Sequence, residues 1–205
     1  MGRRGLLIVI SAPSGTGKGV LRRHLLREMP ELRFCLSVTS RPPRPGEVEG
    51  VDYYFVSPEE FQRRLEAGAF VEWAEVYGNL YGTPALEIKE ALERGEDVLL
   101  EKDVQGARTL REKFPDGVFI FILPPDRQAL EERLRGRGTE DQENLERRLA
   151  TAWEELAQLK NYDYVVVNDR VEEAVAQLRA IVTAERCRTS RIDFSHPYFQ
   201  WIRRI

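Results

Sequence analysis

An α/β fold, a parallel sheet flanked by helices, is what this sequence predicts, and three observations carry it. An apolar run, Leu6-Leu7-Ile8-Val9-Ile10, passes into a glycine-rich turn, Ala12-Pro13-Ser14-Gly15-Thr16-Gly17-Lys18, and then into helical spacing from Val20 to Arg27. Three further apolar strands, Val98 to Leu100, Val118 to Leu123 and Tyr164 to Val167, are each followed by a helical stretch. Such alternation implies parallel pairing through right-handed crossovers. A chain of 205 residues also suits one sizeable core with a small insertion better than two independent domains.

Five large aliphatic residues in succession suit a first strand buried on both faces. Gly15 and Gly17 then allow backbone angles and close approaches that a side chain forbids. The turn presents backbone N–H groups inward, and the helix that follows sets its positive end beneath a bound phosphate. Lys18 supplies a mobile cation for the outer phosphates. The plainer alternative is that the glycines serve a tight turn only. Ala12 stands where the usual pattern has its first glycine, and Gly19 where it has a Ser or Thr; Val20 restores no hydroxyl. That hydroxyl normally ligates Mg²⁺, so a metal here has to rely on nucleotide oxygens, water and carboxylates from elsewhere.

Met29-Pro30 closes the first helix, and Phe34 to Val38 reads as a second strand. Arg41-Pro42-Pro43-Arg44-Pro45-Gly46 suits neither helix nor central strand, and it leads into the aromatic strand Tyr53-Tyr54-Phe55-Val56. Ser57-Pro58-Glu59-Glu60 is a capping box with proline at the first helical position, and Gly68 closes that helix. Phe70 to Val76 alternates as a strand; Thr83-Pro84 opens a helix that Gly95 ends. Arginines flanked by glycines between Arg133 and Thr139, ahead of a long amphipathic helix with Arg147, Arg148 and Trp153, read as a mobile flap. The expected organisation is one domain: a core at 1–33, 84–135 and 149–187, an insertion at 34–83, a flap at 136–148 and an extension at 188–205.

Lys and Arg total 31 against 34 Asp and Glu, a formal net charge of −3. Bulk charge therefore argues against a nucleic-acid partner, and an anionic ligand must be gripped locally. No apolar stretch approaches the roughly 20 residues that span a bilayer, so no membrane partner is expected. The run after Arg3-Arg4 is too short for an export signal. Cys35 and Cys187 lie far apart without metal-ligand spacing, which fits a reduced, cytoplasmic setting and leaves a disulfide open. The aromatic tail from Ile192 to Ile202 either docks on its own core or meets a second subunit; monomer and homodimer both remain open.

Several side chains could carry chemistry. Arg41 and Arg44 are one polyproline II turn apart, roughly 9 Å at a rise of about 3.1 Å per residue, so both are expected on one side, converging on a single phosphate. Ser37, Tyr53 and Tyr81 could add hydroxyl donors. Glu72 is expected on the strand face opposite Val71 and Trp73. A carboxylate there can accept in parallel from guanine N1–H and the 2-amino group, with the Thr83 hydroxyl donating to O6; otherwise it is an exposed acid. Glu101 and Asp103 flank Lys102 at the end of a parallel strand, where ligands collect, and could face Mg²⁺ waters or the acceptor together.

Taken in order, Ala12 to Lys18, Ser37, Arg41 to Glu47, Asp52-Tyr53, Glu72-Trp73-Ala74, Tyr81-Gly82-Thr83, Asp103 to Gly106 and Gly136 to Thr139 resemble the guanylate kinases over roughly residues 5 to 187. The resemblance implies a P-loop NTPase core with a small mixed α/β GMP-binding insertion and a lid. It also implies transfer of a phosphoryl group from ATP to GMP with Mg²⁺, giving ADP and GDP, in purine nucleotide metabolism. By position, Ala12 through Gly19 with Arg137 and Asn168 would bind ATP. Ser37, Arg41, Arg44, Tyr53 and Tyr81 would hold the GMP phosphate, while Glu72 and Thr83 read guanine beside Asp103. Lys18, Arg41, Arg137 and Arg148 would act on the transferring group, and Glu101 and Asp103 would meet the metal through water. Lys102 departs from the family pattern, where an apolar residue is common. The other readings are a non-catalytic binding module with this pocket as a peptide site, and a sister kinase acting on a phosphorylated sugar.

Overall fold

The structure is a computed structural model and describes residues 4–76, 78–135 and 142–202. The chain runs β1 (Leu7–Ser11), α1 (Lys18–Glu28), β2 (Arg33–Phe34), β3 (Val38–Thr39), β4 (Tyr54–Phe55), α2 (Pro58–Glu66), β5 (Phe70–Val76), β6 (Asn79–Pro84) and α3 (Ala85–Glu93). It continues through β7 (Val98–Lys102), α4 (Val104–Lys113), β8 (Val118–Leu123), α5 (Arg127–Arg135), α6 (Gln142–Leu156), β9 (Tyr164–Val167) and α7 (Val171–Arg186). Two sheets result. The larger is parallel throughout, in the order β2-β7-β1-β8-β9; the smaller is mixed, in the order β4-β3-β6-β5.

Alternation along β1 sorts the core into two layers. Leu6, Ile8 and Ile10 pack with Leu99 and Ile120 against Leu21 and Leu25 of α1 and Ala174, Leu178 and Val182 of α7. Leu7 and Val9 pack with Val98, Leu100 and Phe119 against Ile88 of α3 and Ala107 and Leu110 of α4. Both faces of β1 are therefore dry, which is why its sequence is an unbroken aliphatic run. Val71 of β5 joins the second layer, and Lys113 Nζ of α4 donates to its carbonyl, so the small sheet is fastened to the α3–α4 face.

Three local expectations are corrected or refined. Phe34 to Val38 is not one strand: Arg33–Phe34 pairs with β7 in the core sheet, whereas Val38–Thr39 pairs with β4 and β6 in the small one, so the chain changes sheets between them. Thr83-Pro84 closes β6, and with Pro84 as N-cap the expected helix opens one residue later, at Ala85. In β5 the ladder slips between Phe70 and Glu72. This bulge breaks simple alternation, leaving Val71 and Glu72 both buried and Trp73 exposed.

Asp97 fastens the start of β7. Its carboxylate accepts from Leu6 N–H at 2.9 Å and from Arg186 Nε at 2.7 Å while 2% exposed. Asp97→Ala leaves a buried N–H and a guanidinium without that partner and is expected to cost about 3 kcal/mol, read as a lowered Tm. Beyond α7, Arg191 donates to Glu185 Oε2 at 3.0 Å and to the Asp116 carbonyl at 2.8 Å, and Phe199 is buried with the Phe194 and Tyr198 rings beside it. Trp201 remains 72% exposed. No helix among the described residues is long and apolar enough to cross a membrane. Both cysteines are free, and burial pushes the Cys35 thiol up to about 12.

Candidate active site

The site lies at the carboxyl ends of β1 and β7. These strands are neighbours, yet α1 leaves β1 toward one layer and α4 leaves β7 toward the other, so a crevice opens between them. The glycine-rich loop fills its rim. Gly15 and Gly17 have φ of 86° and 83°, and Gly17 caps α1 with no side-chain bond, leaving the helix's first N–H groups to a ligand. Ala12, Pro13 and Thr16 turn inward, and Thr16 Oγ1 donates to the Pro13 carbonyl at 2.8 Å. Asn168 lies behind the loop: it is 4% exposed, and its Nδ2 donates to the Thr16 carbonyl at 2.7 Å. The structure thus gives Asn168 to the loop backbone.

Lys18 Nζ donates to the Lys102 carbonyl at 2.7 Å. Burial pushes its ammonium below the usual lysine value, while the charges of Glu101, Asp103 and Glu155 oppose that shift. A Cβ on Gly19 would lie 3.8 Å from Glu101 Oε1, so the Glu101 carboxylate stands beside the place where the usual hydroxyl would project. Arg22 Nε lies 3.4 Å from its other oxygen. Asp103 does not share the strand face of Glu101. β7 ends at Lys102, and Asp103 Oδ1 accepts from Gly106 N at 2.7 Å as the N-cap of α4.

Across the crevice, Glu72 on β5 sits opposite Thr83 on β6, and the Thr83 hydroxyl donates to Glu72 Oε1. Lys102 Nζ approaches the same oxygen at 3.0 Å and donates to Ser37 Oγ at 2.7 Å. Tyr81, two residues before Thr83 on the same face of β6, accepts from Arg41 Nε at 3.1 Å. Arg41 is 6% exposed and packs over the Tyr53 ring, 5.0 Å from its centroid. Burial pushes the Tyr53 hydroxyl above its usual value.

Arg41 is buried and Arg44 exposed, and the charges of both bear on Glu47. The stiff segment ends in a turn, with Glu47 N–H donating to the Arg44 carbonyl at 3.0 Å and Gly46 at φ 88°. Glu47 is thereby carried back to Arg41, which it binds through both oxygens at 2.6 and 2.7 Å, while Arg44 stays exposed. The Arg41 guanidinium holds the Glu47 carboxyl down to about 2. Stability from this pair is complete above the ordinary carboxylate value of 4.5 and is lost as pH falls from there toward 2.

From α6, Arg148 donates to Ser14 Oγ at 2.8 Å, which brings this helix onto the loop. Glu155, two turns further along the same helix, is pushed up by burial while the charge of Lys18 opposes the shift. Sequence reasoning missed Glu155 and Glu47. An i, i+7 spacing from Arg148 was the only signal for the first; the ladder of the 44–47 turn has no signature beyond Pro45-Gly46 for the second. Arg137 lies outside the described residues.

A family model described as guanylate kinase matches residues 4–185. The chain is 54% identical over 188 residues to the guanylate kinase of Symbiobacterium thermophilum, covering 92% of this chain and 89% of that one. It is 50% identical over 187 residues to that of Desulfitobacterium hafniense, covering 91% and 94%. The crystal structure of guanylate kinase from Anaplasma phagocytophilum superposes with a TM-score of 0.77 at 36% identity, covering 93% of this chain and 91% of that one. These matches run through the phosphate loop, both sheets and the crevice between them, and the chain belongs to the guanylate kinase family.

Proposed function

We propose that this chain carries out the guanylate kinase reaction, ATP + GMP giving ADP + GDP, with the donor on the Ala12–Gly19 loop and the acceptor between Glu72, Thr83 and Arg41. The observation that carries this reading is one continuous path of contacts, from Lys18 through Lys102 to Ser37, Glu72 and Thr83, which joins the glycine-rich loop to the polar side chains of the small sheet. The insertion at 34–83 is the GMP-binding unit, the core at 1–33, 84–135 and 149–187 binds ATP, and 136–148 forms the lid. The enzyme works in the cytoplasm on free nucleotides.

In this reading an oxygen of the GMP phosphate attacks the γ-phosphorus of ATP, that P–O bond forms, and the bond to the β-phosphate oxygen breaks as ADP leaves. Such a transfer needs positioning and charge more than a general base. Lys18 and Arg148 face the donor phosphates. Arg41, Tyr81, Tyr53, Ser37 and Arg44 grip the acceptor phosphate, and Glu72 with Thr83 reads guanine beside Asp103. Asn168 acts through the loop that it braces.

The residues present fit Mg²⁺ brought with ATP. Glu101 stands beside Gly19, and among the described residues no group of three or more His, Cys, Asp or Glu could hold an ion by itself, as suits a metal shared with phosphate oxygens and water. Glu101 would hold it through water, with Asp103 nearby through its oxygen not used in capping. The ion would neutralise charge on the β- and γ-phosphates.

With ATP and Mg²⁺ fixed, an acceptor panel of GMP, AMP, CMP and UMP is expected to give ADP release with GMP alone. Equal turnover on a phosphorylated sugar, or ATP binding with no GMP-dependent release, would sink this reading.

A further inference from the structure

Lys102 is the last residue of β7, and two of its groups, the ammonium and the carbonyl, meet three different side chains of the site. Its ammonium lies 3.0 Å from Glu72 Oε1, with the two side chains 9% and 7% exposed, and donates to Ser37 Oγ at 2.7 Å. Its carbonyl accepts from Lys18 Nζ at 2.7 Å. A buried ammonium is costly unless paired, and an apolar side chain of similar length would fill the same space without that cost. What the cation adds is a second donor on one chosen oxygen. Thr83 Oγ1 donates to Glu72 Oε1 as well, so the carboxylate is pinned from two directions through Oε1, and Oε2 takes part in neither contact.

We propose that Lys102 is a positioning residue for acceptor recognition, fixing the orientation of the Glu72 carboxylate before the base arrives. This rests on Glu72 being the base-reading group. Two parallel N–H donors of guanine need an acceptor without a proton and with its plane held in the right direction. Without the ammonium, Thr83 alone restrains the buried carboxylate, which is then free to turn. That change removes acceptor capacity at the base edge. Lys18 hydrogen-bonds the carbonyl of residue 102, so replacing the side chain leaves the donor loop that partner and removes only the weaker repulsion between the two ammonium groups.

The test is a double-mutant cycle with steady-state kinetics in both substrates. Lys102→Met is expected to lower kcat/KM for GMP roughly tenfold or more, nearly all of it in the GMP KM, with the ATP KM unchanged. In a Glu72→Gln background the same replacement is expected to change little, because the group through which it acts is already altered. Lys102→Gln keeps a donor for Ser37 without the charge; it is expected to behave like the methionine variant and replaces it if that chain does not fold. An equal loss in both backgrounds would place the action of Lys102 on the acceptor phosphate through Ser37 and overturn the proposal. A matching rise in the ATP KM, or no change in either KM, would overturn it too. If Glu72→Gln alone leaves GMP kinetics intact, it is the base-reading role of Glu72 that fails, and the cycle separates that result from the others.

Discussion

Lys18→Met is expected to lower kcat by roughly a thousandfold, with GMP binding and Tm nearly unchanged. Lys18 is the first residue of α1, its ammonium is drawn into the crevice, and its hydrogen-bond partner in the free enzyme is a backbone carbonyl. A carbonyl carries only a partial charge, so a polyphosphate offers this desolvated cation a stronger partner. The charge that builds on the transferring group then falls within reach of an ammonium whose solvation cost was met on folding. Methionine retains the stem and its packing. Single-turnover rates with ATP and GMP both saturating would isolate the transfer step, and a variant that loses affinity for ATP but transfers at the normal rate would show that Lys18 only binds.

Glu72→Gln is expected to lower kcat/KM for GMP about a hundredfold while leaving the ATP KM unchanged. The amide keeps the volume of the side chain but replaces one acceptor oxygen with a donor, so it faces at least one base N–H with an N–H of its own. Lys102 would also face an uncharged group, leaving a buried ammonium poorly compensated. The loss should be smaller for an acceptor lacking the 2-amino group, because that acceptor has one fewer donor to disappoint. Equal losses with all acceptors would make Glu72 a structural residue.

Much of this architecture was legible because the core strands are continuous aliphatic runs and the loop between β1 and α1 has positional chemistry: two glycines, a lysine, then a helix. The strand-to-sheet assignment between Phe34 and Val38 was not, because five residues of favourable composition do not say that the chain leaves one sheet for another. Glu72 was identified for its chemistry but placed by simple alternation, and the slip at Phe70 belongs to the pairing with β6, which no local pattern encodes. Arg41 and Arg44 illustrate the same limit. Prolines predict stiffness in their own segment, but not the reversal at Gly46 that brings Glu47 onto Arg41. Lys102 stood out in sequence as a charge in an apolar position; only the closeness of β5 to β7 gives it a partner.

The closed Arg41–Glu47 pair bears on which ions the empty enzyme attracts. A bare guanidinium in a shielded pocket lined by tyrosines would be a general trap for chloride, sulfate or inorganic phosphate. With a carboxylate already seated on two of its nitrogens and a tyrosine oxygen on the third, Arg41 is close to electrically silent toward solvent. A small anion gains too little by dislodging Glu47, whereas a nucleotide anchored at its base can compete at close range. On the proposed reading, discrimination against simple salts falls to the proline-rich loop, apart from the residues assigned to the base.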